Sequence, residues 1–249
     1  MSTNWEIFAE GRIHKTSEIE SISETKLDLF ENATGQAFDE LKSKLDDIVA
    51  KSREASRKVT STSDEKGVPT DNEAMDEVGR LLGEQFWATQ HLNTLSEMKI
   101  VYLFKCVEIA MKSLIRTAYP KTNTKDFYKW ESMSSFLKTF NINVSTLRGY
   151  LEVNELRKVN NNIKHTDVVS DEVKIIKEFK DKGEFEFDDL EHFHDRVKVK
   201  SEEFIKDLGV AILVDLYTFD NGRIESIAKE YKNRMDADQL RKLVQILQR

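Results

Sequence analysis

The run "MKIVYLFKCVEIAMKSLIRTAYP", residues 98–120, constrains the fold more than any other part of the chain. On a helix, Ile100, Val101, Leu103, Phe104, Val107, Ala110, Met111, Leu114 and Ile115 cover most of the circumference. A helix apolar on so many sides is central and touches several partners. Pro120 ends it, because proline lacks the N–H that would continue the ladder. The remaining segments must therefore supply helices to surround it. With 2 prolines and 9 glycines in 249 residues, and abundant Glu, Lys, Leu and Ile, the composition suits that task.

The surrounding helices are readable from apolar spacing. Phe38, Leu41, Leu45 and Ile48 fall on one face, as do Met75, Val78, Leu81, Leu82 and Phe86. Trp5, Phe8, Ile19, Ile22, Leu27 and Phe30 give a weaker pattern upstream, interrupted by Gly11. "TLSE", residues 94–97, has the form of a capping box, with Thr94 as N-cap and Glu97 reaching back to start the central helix. Trp130, Met133, Phe136, Leu137 and Phe140 mark a short helix, and Ser145 is placed to cap the next one. Phe185 and Phe187 alternate with acids after the turn signal "DKG", which predicts a small β-hairpin. Phe204, Leu208, Ile212 and Leu216 continue a long helix from about Asp189, "DNG" punctuates it, and Ile224, Ile227, Tyr231, Leu240, Leu243, Val244 and Leu247 form terminal amphipathic helices. The expected architecture is an all-α antiparallel bundle in four parts. An N-terminal helical arm spans 1–58, a linker or mobile loop 59–72, a helical domain 73–219, and C-terminal amphipathic helices 220–249.

Several functional classes drop out early. The single cysteine, Cys106, has no internal disulfide partner and sits in an apolar run as a buried thiol. No segment resembles a secretory signal, and no run approaches the roughly 18 apolar residues of a membrane span, so a cytoplasmic protein is expected. There is no phosphate-binding glycine loop, no dinucleotide turn and no Cys–Cys pair, so neither a cofactor nor a metal is expected. His192 and His194 in "EHFHD" point in different directions on a helix, which argues against a shared metal. The net charge of −7 opposes general attraction to nucleic acid, yet residues 98–165 hold 12 Lys/Arg against 5 Asp/Glu. That block is a local patch able to meet phosphate within an acidic protein.

Its most unusual stretch is "ELRKVNNNIKHT", residues 155–166. At about 100° per residue, Asn154, Lys158 and Asn161 all fall within about 40° of His165, and Arg157 stands about 80° away. Lys164 adds a further cation beside the histidine. Leu156, Val159 and Ile163 form the opposite, apolar side, so the stripe costs the helix none of its packing face. A histidine near its ordinary pKa can exchange a proton with a ribose hydroxyl or a leaving oxygen. Lys158 and Arg157 can hold phosphate, and Asn161 can orient it. A plainer role is also open: a histidine at a helix C-terminus meets free carbonyls and the negative end of the dipole.

The stretch "YLEVNELRKVNNNIKHT", preceded by the long apolar helix and the short aromatic one, resembles the HEPN superfamily over about residues 75–215. His165 matches the histidine and Asn161 the asparagine of that family's Arg-Asn-x-x-x-His signature. Asn160 stands where the arginine would be, Arg157 is separated from His165 by seven intervening residues, and Lys158 by six. The resemblance implies a helical homodimer, with the two Asn161–His165 helix ends facing across the interface. It also implies a metal-independent endoribonuclease of toxin–antitoxin or anti-phage type, with His165, Asn161, Lys158 and Arg157 catalytic and Lys158, Lys164, Arg157 and Asn154 on the RNA. An inactive HEPN-like module that binds RNA or a protein partner such as an antitoxin, and a purely structural helical adaptor, remain the alternatives.

Overall fold

The structure, a computed structural model, describes residues 4–62, 71–122, 127 and 129–248. They form an all-α bundle of nine α-helices. These are α1 (Asn4–Ser23), α2 (Leu29–Ser61), α3 (Asn72–Ala118), α4 (Trp130–Lys138), α5 (Tyr150–His165), α6 (Asp171–Lys174), α7 (Phe187–Tyr217), α8 (Asn221–Arg234) and α9 (Ala237–Leu247). Short 3₁₀ turns at Val144–Thr146 and Lys177–Phe179 join some of them.

The apolar run forms the second half of α3 and lies at the centre, with Ile100, Val107, Met111, Leu114 and Ile115 fully buried. Helices α1, α5 and α7 pack around it, and α4 closes one end. Two tethers fix direction. The backbone N–H of Phe187 donates to Asn93 Oδ1 at 2.7 Å, and the Tyr119 hydroxyl donates to Asp215 at 2.8 Å, so α7 runs parallel to α3. Arg148 pairs with Asp207 and Arg196 with Glu155, so α5 runs antiparallel to α7. Helix α1 also runs antiparallel to α7, and it comes close at Gly209, where an added Cβ would lie 1.9 Å from Ser23 Oγ.

The long helix differs from the expectation at residues 94–97. α3 passes through them unbroken, and the Thr94 hydroxyl donates to the Gln90 carbonyl at 2.9 Å instead of capping. Apolar residues on both sides of the segment bury against α2 and α7, and that packing outweighs a local capping signal. Asp71 is the actual N-cap, accepting from Ala74 N at 3.0 Å. Helices α2 and α3 form a hairpin with its own small core of Phe38, Leu45, Ile48, Ala55, Leu81, Ala88 and Leu92. Residues 63–70 of the expected linker lie outside the described residues, whereas Thr60, Ser61 and Asn72 are helical. Ile19 of α1 and Leu27 belong to the main core.

Two other expectations are corrected. Among the described residues no β-hairpin forms around Phe185 and Phe187; one isolated antiparallel bridge joins Val168 to Glu184, and Phe187 is the first residue of α7. Phe185 and Phe179 bury edge to face in the main core, which supplies the apolar alternation without a strand. Ser145 lies within a 3₁₀ turn capped by Asn143, and α5 begins after Gly149, at φ 76°. An added Cβ there would lie 2.0 Å from the Lys200 carbonyl oxygen, so a glycine both permits the left-handed turn and lets α5 meet α7. No helix of the described residues is long and apolar enough to cross a membrane. Cys106 is half-buried, and burial pushes its thiol up.

Candidate functional site

Helix α5 divides its faces as the spacing predicts. Val153, Leu156 and Val159 are completely buried against α3 and α7, with Ile163 packed at the edge. That anchoring leaves the last turn to project, and Asn161, Lys164 and His165 are exposed on it. Lys158 is half-buried one turn earlier. Neither Lys158 nor Lys164 has an ion-pair partner among the described residues, so both ammonium groups are available to an anion.

Asn154 and Arg157 are brought together with each other but turned from His165. Arg157 donates through Nε and Nη2 to Asn154 Oδ1 at 3.4 and 3.1 Å, and Nη1 lies 3.2 Å from Glu131 of α4. The guanidinium thereby lines an open groove of about 370 Å³ with Trp130, Ser134 and Tyr150. The expected stripe is thus split. One part is the cationic, imidazole-bearing end of α5; the other is an arginine held toward α4.

The three asparagines have three different jobs. Asn162 is buried, donates to the Val168 carbonyl at 2.8 Å and accepts from Ser170 N at 2.7 Å, so it ties down the chain leaving α5. Asn160 is 1% exposed; its Nδ2 donates to Asn161 Oδ1 at 3.1 Å. That bond fixes the Asn161 oxygen toward the helix, which leaves the Asn161 amide nitrogen to face solvent as a donor. Nothing else in the buried surroundings pairs with Asn160 Oδ1 among the described residues.

Sequence reasoning missed two groups of ionisable residues. Glu97 is half-buried on α3, and burial, with the Asp167 carboxylate two residues past His165, raises its pKa. It was masked by its resemblance to a capping residue. The second group surrounds His194, which is 3% exposed on α7. Lys99 Nζ lies 2.6 Å from Glu191 Oε2, Ser96 donates to Glu191 Oε1 at 2.8 Å, and Lys198 pairs with Glu31 of α2. Burial pushes the His194 imidazole pKa down, and Lys99 adds to that. The "EHFHD" segment is helical, and the described residues contain no cluster of metal-ligating side chains. An all-α bundle with a solvent-facing basic helix end is the class of protein these features define. Comparison of the chain with family models, curated proteins and solved structures finds no match.

Proposed function

We propose that the chain is a HEPN-like cytoplasmic protein of defence or toxin type that engages RNA through the end of α5. One observation carries this reading: Asn161, Lys164 and His165 stand together in solvent on a turn whose opposite side is sealed into the core. In that reading Lys158 and Lys164 hold a backbone phosphate, and the outward Asn161 amide donates to it. His165 takes the proton of a ribose 2′-hydroxyl as that oxygen attacks phosphorus, and a proton returns to the departing 5′ oxygen. No metal is required. Homodimerisation belongs to the same reading.

The position of Arg157 favours a second reading, a HEPN-like module that binds RNA or a protein without cleaving. Its guanidinium is occupied by Asn154 and Glu131, and Asn160, in the arginine's place in the signature, is buried. The purified protein incubated with total RNA and a tRNA pool in EDTA separates the two. Cleavage that survives chelation and disappears in His165→Ala is the expected result for the nuclease. RNA binding without cleavage, weakening as salt rises, selects the module; absence of both defeats the RNA reading altogether.

A further inference from the structure

Two surfaces of this chain lie uncovered at opposite ends of the bundle. The first is on the α2–α3 hairpin. Met75, Leu82 and Phe86 recur at i, i+7 and i+11 on α3, and all three are exposed, Phe86 at 56%. Trp87, 63% exposed, meets the Phe86 ring edge to face at 5.4 Å and widens the row. Gly79 lies within the row with open space where its Cβ would be. Residues 72–92 carry four carboxylates against one guanidinium, so the row has an acidic setting.

The second surface is the tail. No residue of α8 or α9 is buried. Neither helix makes an extended contact with the bundle, although Arg223 ties the start of α8 to the Thr218 carbonyl at 2.9 Å and to Asp215 at 3.3 Å. Helix α9 nevertheless has a complete capping box at Asp236 and Gln239 and a single apolar face of Leu240, Leu243, Val244 and Leu247. Helices of 14 and 11 residues are marginal alone in water, so this pair gains most from a cover on its apolar side. Residues 221–249 carry seven Lys/Arg against four Asp/Glu, the opposite balance to the row on α3.

The tail of the same chain cannot cover the whole of that row. The Tyr119–Asp215 bond places the end of α7 level with the end of α3. At 1.5 Å per residue, Leu82 lies about 55 Å back along α3 from Tyr119. With both connectors drawn out straight, Leu243 reaches about 53 Å and Leu247 about 59 Å from the end of α7, which meets Phe86 and Trp87 only at full stretch and falls short of Met75, about 66 Å back. A second copy laid antiparallel meets the geometric requirement, because each tail then falls beside the other's hairpin and the two contacts are equivalent.

We infer that the exposed Met75–Leu82–Phe86–Trp87 row on the α2–α3 hairpin receives the basic, amphipathic α8–α9 tail of a second copy of this chain. The contact uses neither α5 nor His165, and it stands or falls independently of any action on RNA. Apolar burial supplies the affinity, and the opposite charge balance of the two surfaces speeds encounter and weakens as salt rises.

Sedimentation velocity of the full chain from about 1 to 200 µM tests this. The wild type associates with concentration, and more weakly in 500 mM than in 50 mM salt. Leu82→Glu with Phe86→Glu on the hairpin, and Leu243→Glu with Val244→Glu on the tail, each weaken association at least about 100-fold. All four residues lie outside the buried core, so helicity and melting temperature stay at wild-type values; Asp76→Lys with Glu73→Lys provides a second hairpin variant that leaves the apolar row intact. Mixing the hairpin variant with the tail variant restores part of the association, since one intact row then meets one intact tail. A wild type that stays monomeric throughout, variants that associate like wild type, or a mixture that does not recover overturns the inference. Association carried by α5 instead would appear as the second of these results.

Discussion

Lys99 Nζ lies 2.6 Å from Glu191 Oε2 at the junction of α2, α3 and α7, with the ammonium 4.2 Å from the centre of the Phe38 ring. The lysine is almost fully buried and the glutamate partly so. Each charge therefore depends on the other, on Ser96 and on the ring for what water would supply. Lys99→Met leaves a partly buried carboxylate without its cation and is expected to cost about 2–3 kcal/mol. Replacing both, Lys99→Met with Glu191→Leu, is expected to cost less than the single change. Urea denaturation of the two variants and wild type checks the order.

His194 makes the stability of this junction depend on pH. Its folded pKa lies below the ordinary value of 6.5, burial being the largest cause. The unfolded chain therefore binds the proton first. Stability is complete above about pH 6.5 and falls as pH drops below it, until the folded imidazole also protonates. The groups facing it are Glu31 of α2, Lys99 of α3, and Glu191, Asp195 and Lys198 on or beside its own helix. Urea midpoints between pH 7.5 and 5.0 should fall less steeply in His194→Gln than in wild type. Equal slopes would remove His194 as the source.

Gly149→Ala tests the start of the site helix. The residue sits at φ 76°, and a Cβ would meet the Lys200 carbonyl at 2.0 Å, against backbone rather than a yielding side chain. A loss of roughly 2 kcal/mol or more is expected from the left-handed conformation and the clash together. Thermal melts report it, and an unchanged melting temperature would contradict the tight approach of α5 to α7.

Asn162→Ala removes both bonds that hold the chain after α5, to Val168 and Ser170. Losing those two part-buried bonds is expected to cost about 1–3 kcal/mol. Asn161→Ala, on the exposed side of the same turn, removes only the one bond that Asn160 makes to it and is expected to cost about 1 kcal/mol, less than Asn162→Ala. Chemical denaturation of the pair distinguishes the two adjacent asparagines, and equal losses would refute their division of labour.

Much of this division was legible in the chain itself. The 3.6-residue spacing of Leu156, Val159 and Ile163 told which side of α5 would bury, and therefore that Asn161 and His165 would stand free. It did not tell where Arg157 would turn, because a long side chain chooses among partners on other helices, here Glu131 of α4. Nor did it reveal Glu97, whose burial and neighbour depend on the loop after α5. The false capping box at Thr94 and the false hairpin at Phe185 share one cause: short local signals carry about 1 kcal/mol, and burial of several large side chains exceeds that.

By itself the sequence determined the all-helical character of this protein, its central apolar helix and the face on which the basic, histidine-bearing turn would appear. These follow from periodicity, a property of the chain read along its own axis. Only the tertiary structure decided that α3 runs unbroken from hairpin to core and that α7 lies parallel to it. It alone gathered Lys99, Glu191 and His194 at one junction and left the tail without cover. Those outcomes depend on which faces meet across distances of many residues, and the free energy of such meetings belongs to the packed assembly rather than to any single segment.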